Sequence, residues 1–369
     1  MRYLLLSASY YCLWTSFNWQ LRQSPQVLRW TLTAISVLGL FHAVYGTLAH
    51  SGVVSWNLLE PAGYVHSHSA HGTFANRNHY AAFLTLCASA TIAAMLGNRR
   101  HDRSSSRSLV RSALDFLNQP SWLFRVVLLT IVIGIVLSRS RMGNTSFAIA
   151  AGVFGLAWLL QTTTVKEFVR VGLIFTSIIV VDILIISDKF GLDVVVQRLE
   201  STQLDSSNRA QVREVNRELL ARAPWTGTGL GSYFVLEQAE LKRFEDWLYI
   251  YAHDDHTQLR LEAGLPGYVV LNLLVLCHLG MAARTLRSRR RVYRASSAAT
   301  FMVVTAAAIH STVEFNAYIP AWAALFVVIL ALTTAPPSRR RSRRPNKTID
   351  YSEGVQRRVM PKPAFGTPG

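Results

Sequence analysis

The chain has 369 residues, half of them hydrophobic, and a net charge of +17 from 38 Lys and Arg against 21 Asp and Glu. Apolar windows of roughly 18–22 residues recur along it, each long enough to cross a hydrocarbon layer of ~30 Å as a helix. That pattern excludes an ordinary soluble protein and predicts an all-α, polytopic membrane helix bundle.

The position of the charge decides what it means. Residues 98–121 carry +3, residues 284–294 carry +6 and residues 336–369 carry +7, so three short segments beside apolar runs hold nearly all of it. Cytoplasmic loops have this bias. The long hydrophilic segment 188–263 carries nine basic and thirteen acidic residues, net −4. The basicity therefore reports topology and attraction to membrane lipids, not a nucleic-acid partner. Cys12, Cys87 and Cys277 all fall in apolar stretches with no metal or disulfide spacing.

In chain order, residues 3–17 are apolar but short, and three readings stay open: an extra helix, part of one, or an interfacial anchor. A single Arg precedes the run and no small-residue cleavage site follows it, which argues against a signal peptide. A helix follows over about 28–49. Gly63 to Tyr80, GYVHSHSAHGTFANRNHY, is rich in His, Asn and Gly. His66, His68 and His71 lack a spaced Cys or acid in the same loop, so they read as polar residues facing a hydrated cavity, with no metal and no cofactor expected. Asn76 and Asn78 read as caps of a helix over about 80–96.

Helices are predicted over about 122–137 and on to 160, joined by SRSRMGN, Ser138 to Asn144. This junction puts Arg139 and Arg141 on the face opposite the basic loop. Two readings stand for them: snorkelling to lipid headgroups, or a forked donor for a diphosphate. After a helix over about 171–186, the hydrophilic segment contains NRAQVREVNRELLAR at 208–222, an amphipathic helix with Val212, Val215 and Leu219 on one side. Pro224 ends it. The glycine run TGTGLGSYF, Thr226 to Phe234, follows a helix rather than a strand, so it reads as a tight turn under a substrate and not as a nucleotide loop.

AHDDHTQLRLEAGLPG, Ala252 to Gly267, places His253, Asp254, Asp255, His256 and Glu262 at a membrane boundary. Ionisable groups there are costly and usually functional; the bland alternative is a polar loop end with a Gly/Pro helix start. Helices follow over about 265–283, 298–311 and 321–332, with HSTVEFNAYIP at 310–320 returning to the same outer face. The expected architecture is eight transmembrane helices, nine if the N-terminal run crosses. It has one membrane domain over 1–335, with an extracytoplasmic loop over 188–263 containing short helices, and a basic, disordered cytoplasmic tail over 336–369. A transporter would gather its ionisable groups at mid-membrane; here Asp182 is the clearest such group and the rest collect outside.

Four pieces occur together in order: GTFANRNHYAAFL at 72–84, SRSRMGN at 138–144, Arg209 fifteen residues before PWTGTGLGSYF, and AHDDHTQLRLEAGLPG at 252–267. Over roughly Gly63 to Pro320 the chain resembles the O-antigen ligase and polysaccharide polymerase family, bacterial membrane enzymes that move glycans from a lipid diphosphate. His253, the nine residues 255–263, Gly264 and Gly267 fit the ligase pattern; Asp254 and Tyr268 depart from it, and GTFANRNH is closer to the exopolysaccharide polymerase branch.

The resemblance implies a GT-C-like bundle in the bacterial cytoplasmic (inner) membrane with its site on the periplasmic face. It implies an undecaprenyl-diphosphate-linked glycan donor, a glycan or lipid acceptor, and inverting, metal-independent transfer. Arg141 and Arg209 would hold the diphosphate, with Arg139 beside them and Asn76, Gly229 and Gly231 on the substrate side. His253 would act as general base, oriented by Asp254 or Asp255. A protein hydroxyl as acceptor stays open as the alternative within that chemistry.

Overall fold

The computed structural model describes residues 2–54, 69–97, 121–160, 212–241 and 250–333. The expected helix at 171–186, residues 98–120 of the basic loop and the tail at 336–369 lie outside the described residues. Among those described, every regular element is helical. In chain order they are α1 (Arg2–Gln23), α2 (Pro25–His50), α3 (Arg77–Gly97), α4 (Ser121–Leu137), α5 (Arg141–Leu159), α6 (212–222), α7 (Tyr233–Leu241), α8 (Asp255–Thr285), α9 (Arg291–His310), a 3-10 turn at Asn316–Tyr318, and α10 (Pro320–Ala331). Five of them, within α2, α3, α5, α8 and α9, are long and apolar enough to cross a membrane, and α4 and α10 are shorter apolar helices. The chain is an all-α, multi-pass membrane bundle.

Helix α3 is its axis. Every residue from His79 to Gly97 is buried, and α2, α4, α5, α9 and α10 all pack on it. Its Ala-, Ser- and Thr-rich composition allows this, because small side chains let helix backbones approach closely. A Cβ added at Gly39 of α2 would sit 2.6 Å from Cys87 Cβ, and one at Gly97 would sit 3.0 Å from Val292 Cα. The buried hydroxyls of Thr85 and Thr91 donate to the carbonyls of Ala81 and Cys87, so burial leaves neither unsatisfied.

The N-terminal run is a full 22-residue helix, longer than the apolar stretch 3–17. Ser24 caps α2 through the Gln26 amide and Pro25 takes the first helical position, so a single residue separates α1 from α2. Trp14 Nε1 donates to His278 Nε2 at 3.0 Å and ties α1 to α8 across the apolar layer.

Helix α8 begins ten residues before the expected start at Leu265. It does not stop at Gly264 but kinks there, at φ 68° and ψ 179°. Beyond the kink, Leu265, Val269, Val270, Leu273, Leu274 and Leu276 are exposed, as a lipid-facing surface requires. Helix α9 likewise starts earlier than expected, so Arg291 and Arg294 belong to its first turn rather than to a loop. Their guanidinium groups lie over the Trp158 ring at the far end of α5, 5.5 and 5.8 Å from its centroid.

The bundle therefore has two unlike ends. At one, the C-terminal ends of α3 and α5 meet the basic start of α9. At the other, the starts of α3 and α8 meet the turn after α9. Beside this second end, α6 and α7 form a small core of Leu219, Tyr233, Ala252 and Leu261, with Val215 packed against it. The amphipathic reading of 208–222 holds for its described part, Val212 and Leu219 both being buried.

Candidate active site

The glycine run and the kink of α8 are two halves of one crossing. Gly227, at φ 85°, lies against Gly264 so closely that a Cβ on either would fall 2.3 Å from the other strand's backbone. Only glycine fits two chains at that separation and at positive φ. Leu265 N then donates to Trp225 O, which satisfies an amide freed by the kink. Two residues before Gly264, Glu262 points its buried carboxylate into the glycine run. It accepts from the amides of Gly231 (2.8 Å) and Tyr233 (3.3 Å), from Gln258 Nε2 (3.2 Å) and from the Tyr318 hydroxyl (3.0 Å). Four donors around one carboxylate offset the cost of burying it. The Tyr318 phenol is pushed well above its ordinary pKa, first by burial and then by the Glu262 charge it faces.

This geometry accounts for Gly229 and Gly231. The Gly229 amide bonds to Glu262 O (2.9 Å) and the Gly231 amide to the Glu262 side chain, while the Tyr3 ring packs on Gly231. In this arrangement both amides hold the turn onto α8.

The start of α8 is built from three consecutive polar residues with three different tasks. Asp254 is the N-cap, accepting from the His256 and Thr257 amides and from Thr257 Oγ1. Asp255 is buried and straps the turn after α9. Its side chain accepts from Ser311 Oγ and the Ala317 amide, and its own amide donates to Ser311 O and Glu314 O. His253 stands just ahead of them in left-handed backbone geometry, φ 49°. For a residue with a side chain that conformation costs of order 1–3 kcal/mol, and it persists where the surroundings enforce it.

The enforcing group is the turn 314–316. His253 Nδ1 lies 3.5 Å from Glu314 Oε2, and its ring meets Phe315 edge-on at 4.9 Å. From the start of α3, Asn78 Nδ2 donates to Glu314 Oε1 and His79 Nδ1 pairs with Asn316 Oδ1 at 2.8 Å. The sequence points to Asp254 or Asp255 as the orienting carboxylate; the one set against His253 Nδ1 is Glu314. HSTVEFNAYIP reads as a polar loop between helices, and nothing local to it singles out that acid. Asn78, expected to be a cap, reaches across to Glu314, while Asn76 caps α3 by accepting from the Asn78 amide at 2.7 Å.

Ser138–Asn144 adjoins the same end of α3. Ser140 Oγ caps α5 through the Gly143 amide, and a Cβ on Gly143 would meet Ala81 Cβ at 2.6 Å. Arg141 is the first residue of α5 and exposed; Arg139 is half-buried with φ 52°. Arg209, His66 and His68 lie outside the described residues. His71 Nδ1 pairs with Phe74 O. Among the described residues, no three His, Cys, Asp or Glu side chains stand close enough to share a metal ion.

A histidine held edge-on to an aromatic ring and against a buried carboxylate, at the polar end of a membrane bundle, is an arrangement suited to proton abstraction from a hydroxyl. Residues 126–272 match the family model described as O-antigen ligase. The match supports an O-antigen ligase family assignment and, with it, a membrane glycosyltransferase-like function. It takes in α4 to the first half of α8, including His253 and the glycine crossing, and leaves Asn78 and Glu314 outside. No curated protein matches the chain.

Proposed function

We propose that the protein transfers a glycan from undecaprenyl diphosphate to a hydroxyl of a sugar or lipid acceptor, at the outer face of the bacterial inner membrane. The observation that carries this reading is His253, fixed at φ 49° with its ring 28% exposed at the polar end of the bundle. The basic start of α9 lies at the other end, and the positive-inside rule assigns basic ends to the cytoplasm. His253 then faces the compartment in which carrier-linked glycans are assembled into polymers.

In the reaction, His253 Nε2 takes the proton of the acceptor hydroxyl. The freed oxygen forms a bond to the anomeric carbon from the side opposite the diphosphate. The carbon–oxygen bond to the carrier breaks, its electron pair leaves on the diphosphate, and the anomeric configuration inverts. The leaving group is already anionic, so fixed guanidinium groups can stabilise it as charge develops, and the step needs no metal. Arg141 and Arg209 have this role, with Arg139 next to Arg141. His253→Ala tests the base, as set out in the Discussion. Arg141→Ala tests the clamp: polymer or ligated glycan in cells should fall at least tenfold at unchanged membrane level of the protein. Normal product would remove Arg141 from the site.

A further inference from the structure

Glu314 is a buried acid to which the proposed mechanism gives no role. It is 1% exposed, yet it lies in a turn between two helices where a polar side chain could face water at no cost. Its surroundings hold it inward. Asn78 donates to Oε1, His253 Nδ1 faces Oε2, and the Glu314 carbonyl accepts from the Asp255 amide. That last bond matters geometrically. Asp255 is two residues from His253, so the turn bearing the carboxylate is stitched to the segment bearing the imidazole.

Asp254 and Asp255 have other tasks. The oxygens of Asp254 hold the first turn of α8, and those of Asp255 hold Ser311 and Ala317. Phe315, the residue after Glu314, closes the remaining side: its ring lies edge-on to His253 and, at 4.4 Å, to His79, and stacks on Tyr251. The imidazole is thus bounded by an aromatic ring on one side and a carboxylate at Nδ1.

We propose that Glu314 is the positioning residue of the transfer reaction, holding His253 with its proton on Nδ1 and its basic lone pair on Nε2, toward the acceptor hydroxyl, and that Asn78 braces Glu314 from α3. This rests on the reading of His253 as the general base. A carboxylate at Nδ1 selects the tautomer whose other nitrogen is basic, and it lies beside the positive charge when the ring takes up the proton. The 3.5 Å contact is longer than a hydrogen bond, and the imidazolium charge draws the pair together as it forms. No bond to Glu314 is made or broken. The proton moves from the hydroxyl to Nε2, and the electron pair leaves with the diphosphate.

The test uses the full-length protein in nanodiscs, with the lipid-diphosphate-linked glycan fraction extracted from the membranes of its own cells as donor and acceptor. Glu314→Gln keeps the shape and the Asn78 contact while removing the charge. It should lower kcat at least tenfold with KM for the extract within twofold, and Glu314→Asp should recover part of kcat. Asn78→Ala should lower kcat by less than Glu314→Gln does. The decisive comparison is a double variant: in a His253→Ala background, Glu314→Gln should have no further effect, because a residue that acts through His253 has nothing left to position. A purely structural role would instead multiply the two losses and lower the unfolding temperature.

If Glu314→Gln has wild-type kcat while His253→Ala is inactive, the positioning role is wrong and the base assignment stands. If His253→Ala is fully active, both fall. Should Glu314→Gln fail to fold, Asn78→Ala at wild-type kcat would overturn the brace, and Glu314→Asp with KM raised and kcat unchanged would overturn the positioning role.

Discussion

Glu262 and His253 lie nine residues apart, in and just ahead of α8, and the protein treats them in opposite ways. Glu262 is wrapped by four donors on unstrained chain, next to two glycines that take the positive φ angles the crossing requires. His253 takes a positive φ without being glycine, keeps part of its ring exposed and meets its carboxylate at a long 3.5 Å. The first arrangement closes every bond and builds the fold. The second carries strain on a side chain left partly exposed. In the run from His253 to Gly267, then, the glycine half fixes the angle at which the chain enters the apolar part of α8, and the histidine half holds the proposed base.

The crossing is where that division breaks most visibly. Gly264→Ala places a Cβ 2.3 Å from Thr226 C and 2.5 Å from the Gly227 amide, at φ 68°. Neither backbone can yield without unmaking the turn, so this variant should give little monodisperse protein in detergent. Gly229→Ala is the control, since its Cβ meets nothing within 4 Å despite φ 103°. Its cost should be only the backbone strain, about 1–2 kcal/mol, read as a modest fall in unfolding temperature. Equal damage from the two would mean that conformation, not close approach, sets the glycine requirement.

Glu262→Gln falls between them. An amide offers one acceptor oxygen and turns an NH2 toward at least one of the donors that Glu262 now satisfies, a mismatch worth about 1–3 kcal/mol. Thermal unfolding in detergent should fall accordingly, while kcat per folded molecule stays close to normal. A large loss of kcat with normal stability would move Glu262 from scaffold to chemistry.

Much of this was legible from composition and period. The membrane helices follow from apolar runs, the inner face of α6 from its 3.6-residue spacing, and the gathering of polar segments at one end from charge asymmetry. Local readings failed where the deciding partner lay far along the chain. TGTGLGSYF reads correctly as a tight turn, but what it turns around is Gly264, 37 residues on. Glu314 is one acid in an outer loop until the fold brings it to His253, 61 residues away, and to Asn78 on another helix. Asp254 carries a usable signal, because an Asp just ahead of a helix start is a favoured N-cap. Its proximity to His253 in sequence makes it a candidate to orient the ring, whereas the carboxylate that the fold sets against Nδ1 is that of Glu314. Helix α1 runs past its apolar stretch to Gln23, and its bond from Trp14 to His278, a partner 264 residues on, is invisible to a local reading.

The most direct measurement is single-turnover glycan transfer by purified His253→Ala protein in nanodiscs, set beside its unfolding temperature. A general base contributes about 10²–10⁴-fold, so the rate should fall by at least a hundredfold while the unfolding temperature falls only modestly, because the variant keeps the backbone strain and loses only the contacts of a partly exposed ring. Transfer at the normal rate by a folded His253→Ala protein would contradict the account.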